Sequence, residues 1–214
     1  MRLRLLYAKT NEMRFTGHLD VQRTLYRTLM RARLPITFSE GFTRRPKLVM
    51  AGALPLGCTS DCELADLWLN ETLPLEEIEA AIHRAAPPGL RLLTVEELDP
   101  SAPKAQNLVV AGEYVVTLFD VIPELAQRID ALLAAESLPR ERKGKKYDLR
   151  PLILTLEPLT LDTDGCQRLK MTLRAQDAAT GRPDEVVAQL GGDPLGARYH
   201  RSALHLQQRA SSLG

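Results

Sequence analysis

Two proline-bounded helices constrain this chain more than any other feature. "HLDVQRTLYRTLMRARL" carries an apolar stripe at helical spacing and ends before Pro35, because a residue preceding proline is pushed out of the helical region. "PLEEIEAAIHRAA" has Pro74 near its first position and acids in its first turn, and it stops at Pro87-Pro88-Gly89. Each stripe needs a sheet to cover it. Alternating segments around the helices supply one: "RLRLLYAK", "PITFSE" (ended by Gly41), "KLVMAGAL", "CELADLWLN" and "LRLLTVEEL". In "CELADLWLN", Leu64, Asp66 and Trp68 fall on one side and Ala65, Leu67 and Leu69 on the other. The order is β-α-β-β-α-β, the split pattern of ferredoxin-like folds.

"DPSAPKAQN" then has the composition of a linker, and the same order can be read again. "AGEYVVTLFD" reads as a strand and "PELAQRIDALLAAESL" as a helix. "KKYDLRPLILTLEPLTL" and "QRLKMTLRAQ" follow as strands, "RPDEVVAQLGG" as a short helix and "RYHRSALHLQ" as the last strand. The expected fold class is α+β, with two tandem ferredoxin-like modules at 1–100 and 107–208 and a frayed tail at 209–214. No apolar run is long enough to span a bilayer, and "MRLRLLYAKT" lacks a following small-residue cleavage site. Three cysteines without a small secreted scaffold point to a reducing, cytoplasmic setting.

The formal net charge is only +1, but it is unevenly spread. Residues 13–50 hold eight Lys/Arg against two acids, whereas residues 61–99 hold ten acids against two arginines. On the first helix Val21, Leu25, Thr28, Leu29 and Ala32 fall on one side. Arg23, Arg27 and Arg31 repeat every fourth residue on the other. With no acid at i,i+4 to relieve the repulsion, the stripe calls for an outside anion. The next loop adds Arg44, Arg45 and Lys47, and Phe42 is placed either to stack on a base or to enter the core. A second basic segment, "RERKGKKYDLR" at 140–150, reads as a lysine-rich hairpin. Its Lys143, Lys145, Lys146 and Arg150 would extend a phosphate-holding surface, and Gly144 permits the tight turn. Asp148 is placed to pair with Arg150 or with an arginine of the first module. With Arg14 these residues form the expected nucleic-acid-binding set.

Specific chemistry is harder to place. Cys58 and Cys62 have the first spacing of the C-x3-C-x2-C cluster motif, but Ala65 occupies the third position and no metal site is expected. Motifs for phosphate-loop hydrolases, dinucleotide enzymes, serine hydrolases and zincins are absent. Asp20 suits the first turn of the first helix. His18 either orients the preceding loop or acts as a general acid or base on RNA.

At "RFTGHLD", "SEGFTRRPKL" and "ALPLG" the chain resembles the radical-SAM-linked family, a bacterial domain of unknown function fused to, or encoded beside, a cobalamin-binding radical SAM protein. The family pattern R-F-x-S-H-L-D is met by Arg14, Phe15, His18, Leu19 and Asp20. S-x-G-F-N-P-H-P-K is met by Ser39, Gly41, Phe42, Pro46 and Lys47, and the P-L-P-x-G turn by Pro55 and Gly57. "KKYDLRPLI" matches a later block at Lys145, Lys146, Asp148, Arg150 and Pro151. Gly17 stands where serine is usual, and "FTRR" replaces "FNPH", which removes a proline and a histidine. The resemblance implies a cytoplasmic partner of a radical SAM protein that itself carries the iron–sulfur cluster, SAM and cobalamin. It also implies gene neighbourhoods concerned with ribosomal proteins and ribonucleases. The expectation is an RNA-binding adaptor for tRNA or rRNA, without a cofactor, a membrane role or activity of its own. The alternatives are a metal-independent RNA-processing enzyme using His18 and a purely protein-docking subunit.

Overall fold

The computed structural model describes residues 1–40, 42, 44–142, 144–176 and 179–207. Gly41, Lys143 and the 209–214 tail, all invoked above, lie outside the described residues. The chain is α+β and forms two compact units, Met1–Val109 and Val110–Gly214.

In the first unit the elements are β1 (Arg2–Lys9), α1 (His18–Arg31), β2 (Leu48–Met50), β3 (Cys58–Trp68), α2 (Leu75–Ala85) and β4 (Leu90–Glu97). The antiparallel sheet runs β4-β1-β3, and β2 pairs with the far side of β3. Alternation on β1 turns Leu3, Leu5 and Tyr7 toward the helices. There they meet Val21, Leu25 and Leu29 of α1, Ile78 and Ile82 of α2, and Leu67 and Leu92 of the neighbouring strands. Leu25 is almost fully buried, so truncation to alanine would cost about 2–5 kcal/mol. "PITFSE" does not become a full strand. It forms two isolated bridges, Ile36 to Leu69 and Phe38 to Pro46, because Pro46 has no N–H with which to extend the ladder.

The other side of β1 begins with two arginines, Arg2 and Arg4. Arg4 sits opposite Asp66 in the β1–β3 register, and both Arg2 and Arg4 bind that carboxylate, at 2.9 and 2.8 Å. Arg2 Nη1 and Nη2 and Arg4 Nη2 also donate to the carbonyls of Pro100, Ala102 and Pro103, and the Ala105 N–H donates to Asp66 at 2.9 Å. The segment with linker composition is therefore docked onto the first unit.

The second unit contains β5 (Val109–Leu118), α3 (Leu125–Ala134), β6 (Pro139–Arg142), β7 (Lys145–Asp148), β8 (Ile153–Leu159), β9 (Gln167–Gln176), β10 (Ala179–Thr180), α4 (Pro183–Gln189) and β11 (Ala197–Leu206). Its strands run β11-β5-β9, with β8 and the short β10 both on the outer edge of β9. Ile129 and Leu132 of α3, Val186 and Val187 of α4, and Val116, Leu169 and Met171 of the sheet are all buried. β6 and β7 form a separate hairpin.

"KKYDLRPLILTLEPLTL" reads as one strand in sequence but divides into β7, a 3-10 turn at Arg150–Leu152 and β8. The break is local chemistry. Asp148 accepts from the amides of Leu138 (2.7 Å) and Arg150 (2.9 Å), and Pro151 fixes the turn that follows. Among the described residues no helix is long and apolar enough to cross a membrane.

Candidate nucleic-acid interface

α1 begins at an extended Gly17 N-cap and presents its apolar face to the sheet, so Arg23, Arg27 and Arg31 stand exposed on the other side. The stripe is not acid-free, as the i,i+4 count implied. Asp20, in the positive first turn, binds Arg23 at 2.9 Å across an i,i+3 step. Both partners are more than half exposed, so the pair is worth well under about 1 kcal/mol and leaves the guanidinium accessible. Arg31 donates to the Ala85 carbonyl at 3.0 Å.

The loop after α1 is clamped at its base. Ser39 N–H donates to the Arg45 carbonyl at 2.7 Å, the Arg45 N–H donates to Ser39 Oγ at 3.0 Å, and Lys47 N–H reaches Thr37 O at 2.8 Å. The clamp carries Phe42, Arg44, Arg45 and Lys47 as exposed side chains, and Phe42 is fully exposed. Its core alternative is thereby corrected: the ring is buried against nothing. Arg23 of the helix and Arg45 of the loop line one depression of about 460 Å³, together with Leu19, Tyr26 and Pro46. Arg14 lies before α1, half-buried, with its guanidinium 4.5 Å from the Phe15 ring centre.

In the second unit Lys145 and Lys146 are exposed on β7, with Lys146 opposite Glu141 of β6. Gly144 takes the left-handed conformation that a tight turn needs, at φ +75°. Lys143 lies outside the described residues. Arg150 is engaged internally. Nε and Nη2 donate to Leu133 O at 3.1 and 2.8 Å, and Nη1 donates to Ile153 O at 3.1 Å. It thus satisfies a carbonyl left open in the last turn of α3, a structural assignment in place of the phosphate contact expected from its charge. The Asp148 carboxylate is bound chiefly by backbone amides, and the Arg150 guanidinium acts on it only as a nearby charge. Backbone N–H donors from Leu138 and then Arg150 hold its carboxyl below the usual carboxylate range. Burial, and then the neighbouring Glu185 carboxylate, push Tyr147 up to about 12.

His18, the first residue of α1, is half-buried and lines a small cavity with Tyr7, Lys9, Met50 and Glu63. The cavity, about 10 Å³, has room for about one water. Lys9 is nearly fully buried and donates to the carbonyls of Arg14 (3.1 Å) and Thr16 (2.9 Å), which fixes the "RFTG" turn. The sequence alone assigns no role to Lys9, Glu63, Arg2 or Asp66. The available signal was alternation, since Lys9 stands in step with Leu3, Leu5 and Tyr7 on the core side of β1. Cys58 is buried on β3, Cys62 is half-buried, and Ala65 is fully buried. No cluster of three or more His, Cys, Asp or Glu able to hold a metal ion occurs among the described residues.

A family model described as "Uncharacterized protein conserved in bacteria (DUF2344)" matches residues 2–183. No curated protein matches the chain. One similar solved structure is a chain of a Cbf5-Nop10-Gar1 complex, at 14% identity and TM-score 0.46, over 97% of this chain and 48% of that one. The present chain thus spans about half the length of that neighbour. A putative glycine cleavage system transcriptional repressor follows at 10% identity and TM-score 0.25, over 97% of this chain and 98% of that one. A third, DtpA from Streptomyces lividans in its oxyferrous complex, has 11% identity and TM-score 0.23, over 100% and 90% of the two chains. Likenesses this weak carry no argument about function.

Proposed function

The chain belongs to the bacterial DUF2344 family, and we propose that it acts as an RNA-binding accessory subunit, without catalysis of its own, for a radical SAM partner. The observation that carries the RNA part is the exposed arginine face of α1 beside a clamped loop that holds Phe42 fully in solvent. Guanidinium forks match phosphate oxygens, and an exposed ring gives a base a stacking surface. In this reading Arg23, Arg27, Arg31, Arg44, Arg45 and Lys47 hold phosphates of tRNA or rRNA. Lys145 and Lys146 supply a second basic surface. The partner assignment is supported by the order of "RFTGHLD", "SEGFTRRPKL", "ALPLG" and "KKYDLRPLI" along the chain. We read both units as ferredoxin-like modules; the strand order β4-β1-β3-β2 in the first and β11-β5-β9-β8 in the second supports this.

The test is fluorescence-anisotropy binding of the purified chain to tRNA and rRNA fragments across a salt series. Single-stranded contacts release about 0.7 counterion per phosphate neutralised, so replacing Arg23, Arg27 and Arg31 by alanine should flatten the slope of log affinity on log salt by about 2. An unchanged slope in that variant would sink the assignment. Absence of binding at low salt would leave protein docking as the better account, tested by co-purification with the partner.

RNA processing through His18 is the second reading, favoured by the position of His18 beside buried Lys9 and Glu63. The size of their cavity weighs against a bound nucleotide. RNA turnover in EDTA that His18→Ala abolishes would establish it.

A further inference from the structure

The chain leaves α1 through a left-handed residue. Ala32 closes the helix, and Arg33 follows with φ +56°. The Arg33 N–H donates to Met30 O at 3.0 Å, and the Leu34 N–H reaches back to Leu29 O at 3.4 Å. This pair of bonds is the Schellman motif, whose left-handed position glycine usually fills because a Cβ there crowds the next carbonyl. Glycine would make the same two bonds with less strain. The turn therefore does not account for the arginine.

Its surroundings do. Arg33 lines a depression of about 540 Å³ with Arg31 and Arg84; the rest of the lining is alanine and Pro87, with no carboxylate among the described residues. Arg31 and Arg84 stand in the last turns of α1 and α2, where helix dipoles and open carbonyls favour cations. Each helix end amounts to about half a negative charge, so two ends offset about one of the three guanidinium charges. An excess of about two positive charges is left in a shallow bowl, and the third is supplied by a residue that strains the backbone to be there.

We infer that Arg31, Arg33 and Arg84 form a phosphate-binding site at the C-terminal ends of α1 and α2. The site stands independently of the RNA reading, because the same chemistry serves a phosphodiester of RNA and the phosphates of a small ligand.

The experiment takes the full chain with Arg33→Gly and Arg84→Ala. Arg91→Ala serves as a charge-loss control, since Arg91 is exposed on β4 and paired with Asp61 at 3.7 Å. The probes are inorganic pyrophosphate, followed by calorimetry, and a short fluorescein-labelled single-stranded RNA, followed by anisotropy. Arg33→Gly should move two readouts in opposite directions. Its Tm should rise by about 2–4 °C as the strain is relieved, while affinity for the phosphate probe falls about tenfold or more. Arg84→Ala should lose a comparable factor. Losses on RNA beyond those of Arg91→Ala support the site and place it on nucleic acid. Losses on pyrophosphate with no RNA binding support the site, assign it to a small phosphorylated ligand and defeat the RNA reading. If RNA binds and both variants match the control on both probes, the site is overturned and the RNA reading stands. If neither probe binds, the site is overturned as well.

Discussion

Asp66 is wholly buried, and its Oδ2 lies 2.9 Å from Nη2 of Arg2, itself almost fully buried. Removing the carboxylate strands that guanidinium and its neighbour Arg4 inside the first unit. Asp66→Ala should therefore lower stability by about 3–5 kcal/mol. Asp61→Ala, whose pair with Arg91 is exposed, should change it by less than about 1 kcal/mol. Urea midpoints of the two variants check both values, and equal midpoints would refute the buried-triad account.

Phe42 is fully exposed. Phe42→Ala should leave the thermal midpoint where it is and remove about 1–3 kcal/mol of affinity for single-stranded RNA, the range of one base stacked on an aromatic ring. Melting and anisotropy on the same preparation separate the two effects. A drop in melting temperature would mean the ring is packed.

Arg150 and the lysines of β7 should part company under mutation. Arg150→Ala leaves the Leu133 and Ile153 carbonyls without their donor and should cost about 1.5–3 kcal/mol. Lysine at that position should not restore it, because an ammonium cannot reproduce the fork. Lys145→Ala with Lys146→Ala should leave stability unchanged and weaken RNA binding. Denaturant midpoints and the salt series are the two measurements.

The Asp148 carboxyl titrates below the usual carboxylate range when folded, held there by the amides of Leu138 and Arg150. A depressed folded value stabilises the protein above the unfolded value of about 3.9, and this support is lost as pH falls through the folded one. Asp148→Asn should thus melt lower than the parent at neutral pH. The gap should narrow as pH falls below about 4. A gap that is constant with pH would show that the charge is irrelevant to the turn.

Element boundaries were readable where one interaction dominates. α1 follows from Val21, Leu25 and Leu29 on one face and from the proline beyond its end. The expected helix "PELAQRIDALLAAESL" shortens to Leu125–Ala134 because Glu124 takes a left-handed conformation at its start and Arg150 meets Leu133 at its end. The second cause is a contact between residues seventeen apart, which no local pattern encodes. The same holds for segment 99–105, whose composition reads as a linker while its carbonyls are bound to β1. In the candidate interface the arginine stripe could be read from spacing alone. The exposure of Phe42 rests on the bond from Ser39 to Arg45, and the role of Arg33 on a backbone angle, so neither could be.

The bonds from Arg2 and Arg4 to residues 100–103 also have a mechanical meaning. They join β1 to the stretch that follows β4, the last strand of the first unit, ninety-eight residues away for the Pro100 contact. The first unit is thereby laced shut at the place where chains ordinarily fray. Its closure is that of a ring, made of charge-assisted hydrogen bonds in place of a covalent link. A pull on either end has to break that lacing before it can peel β1 from the sheet.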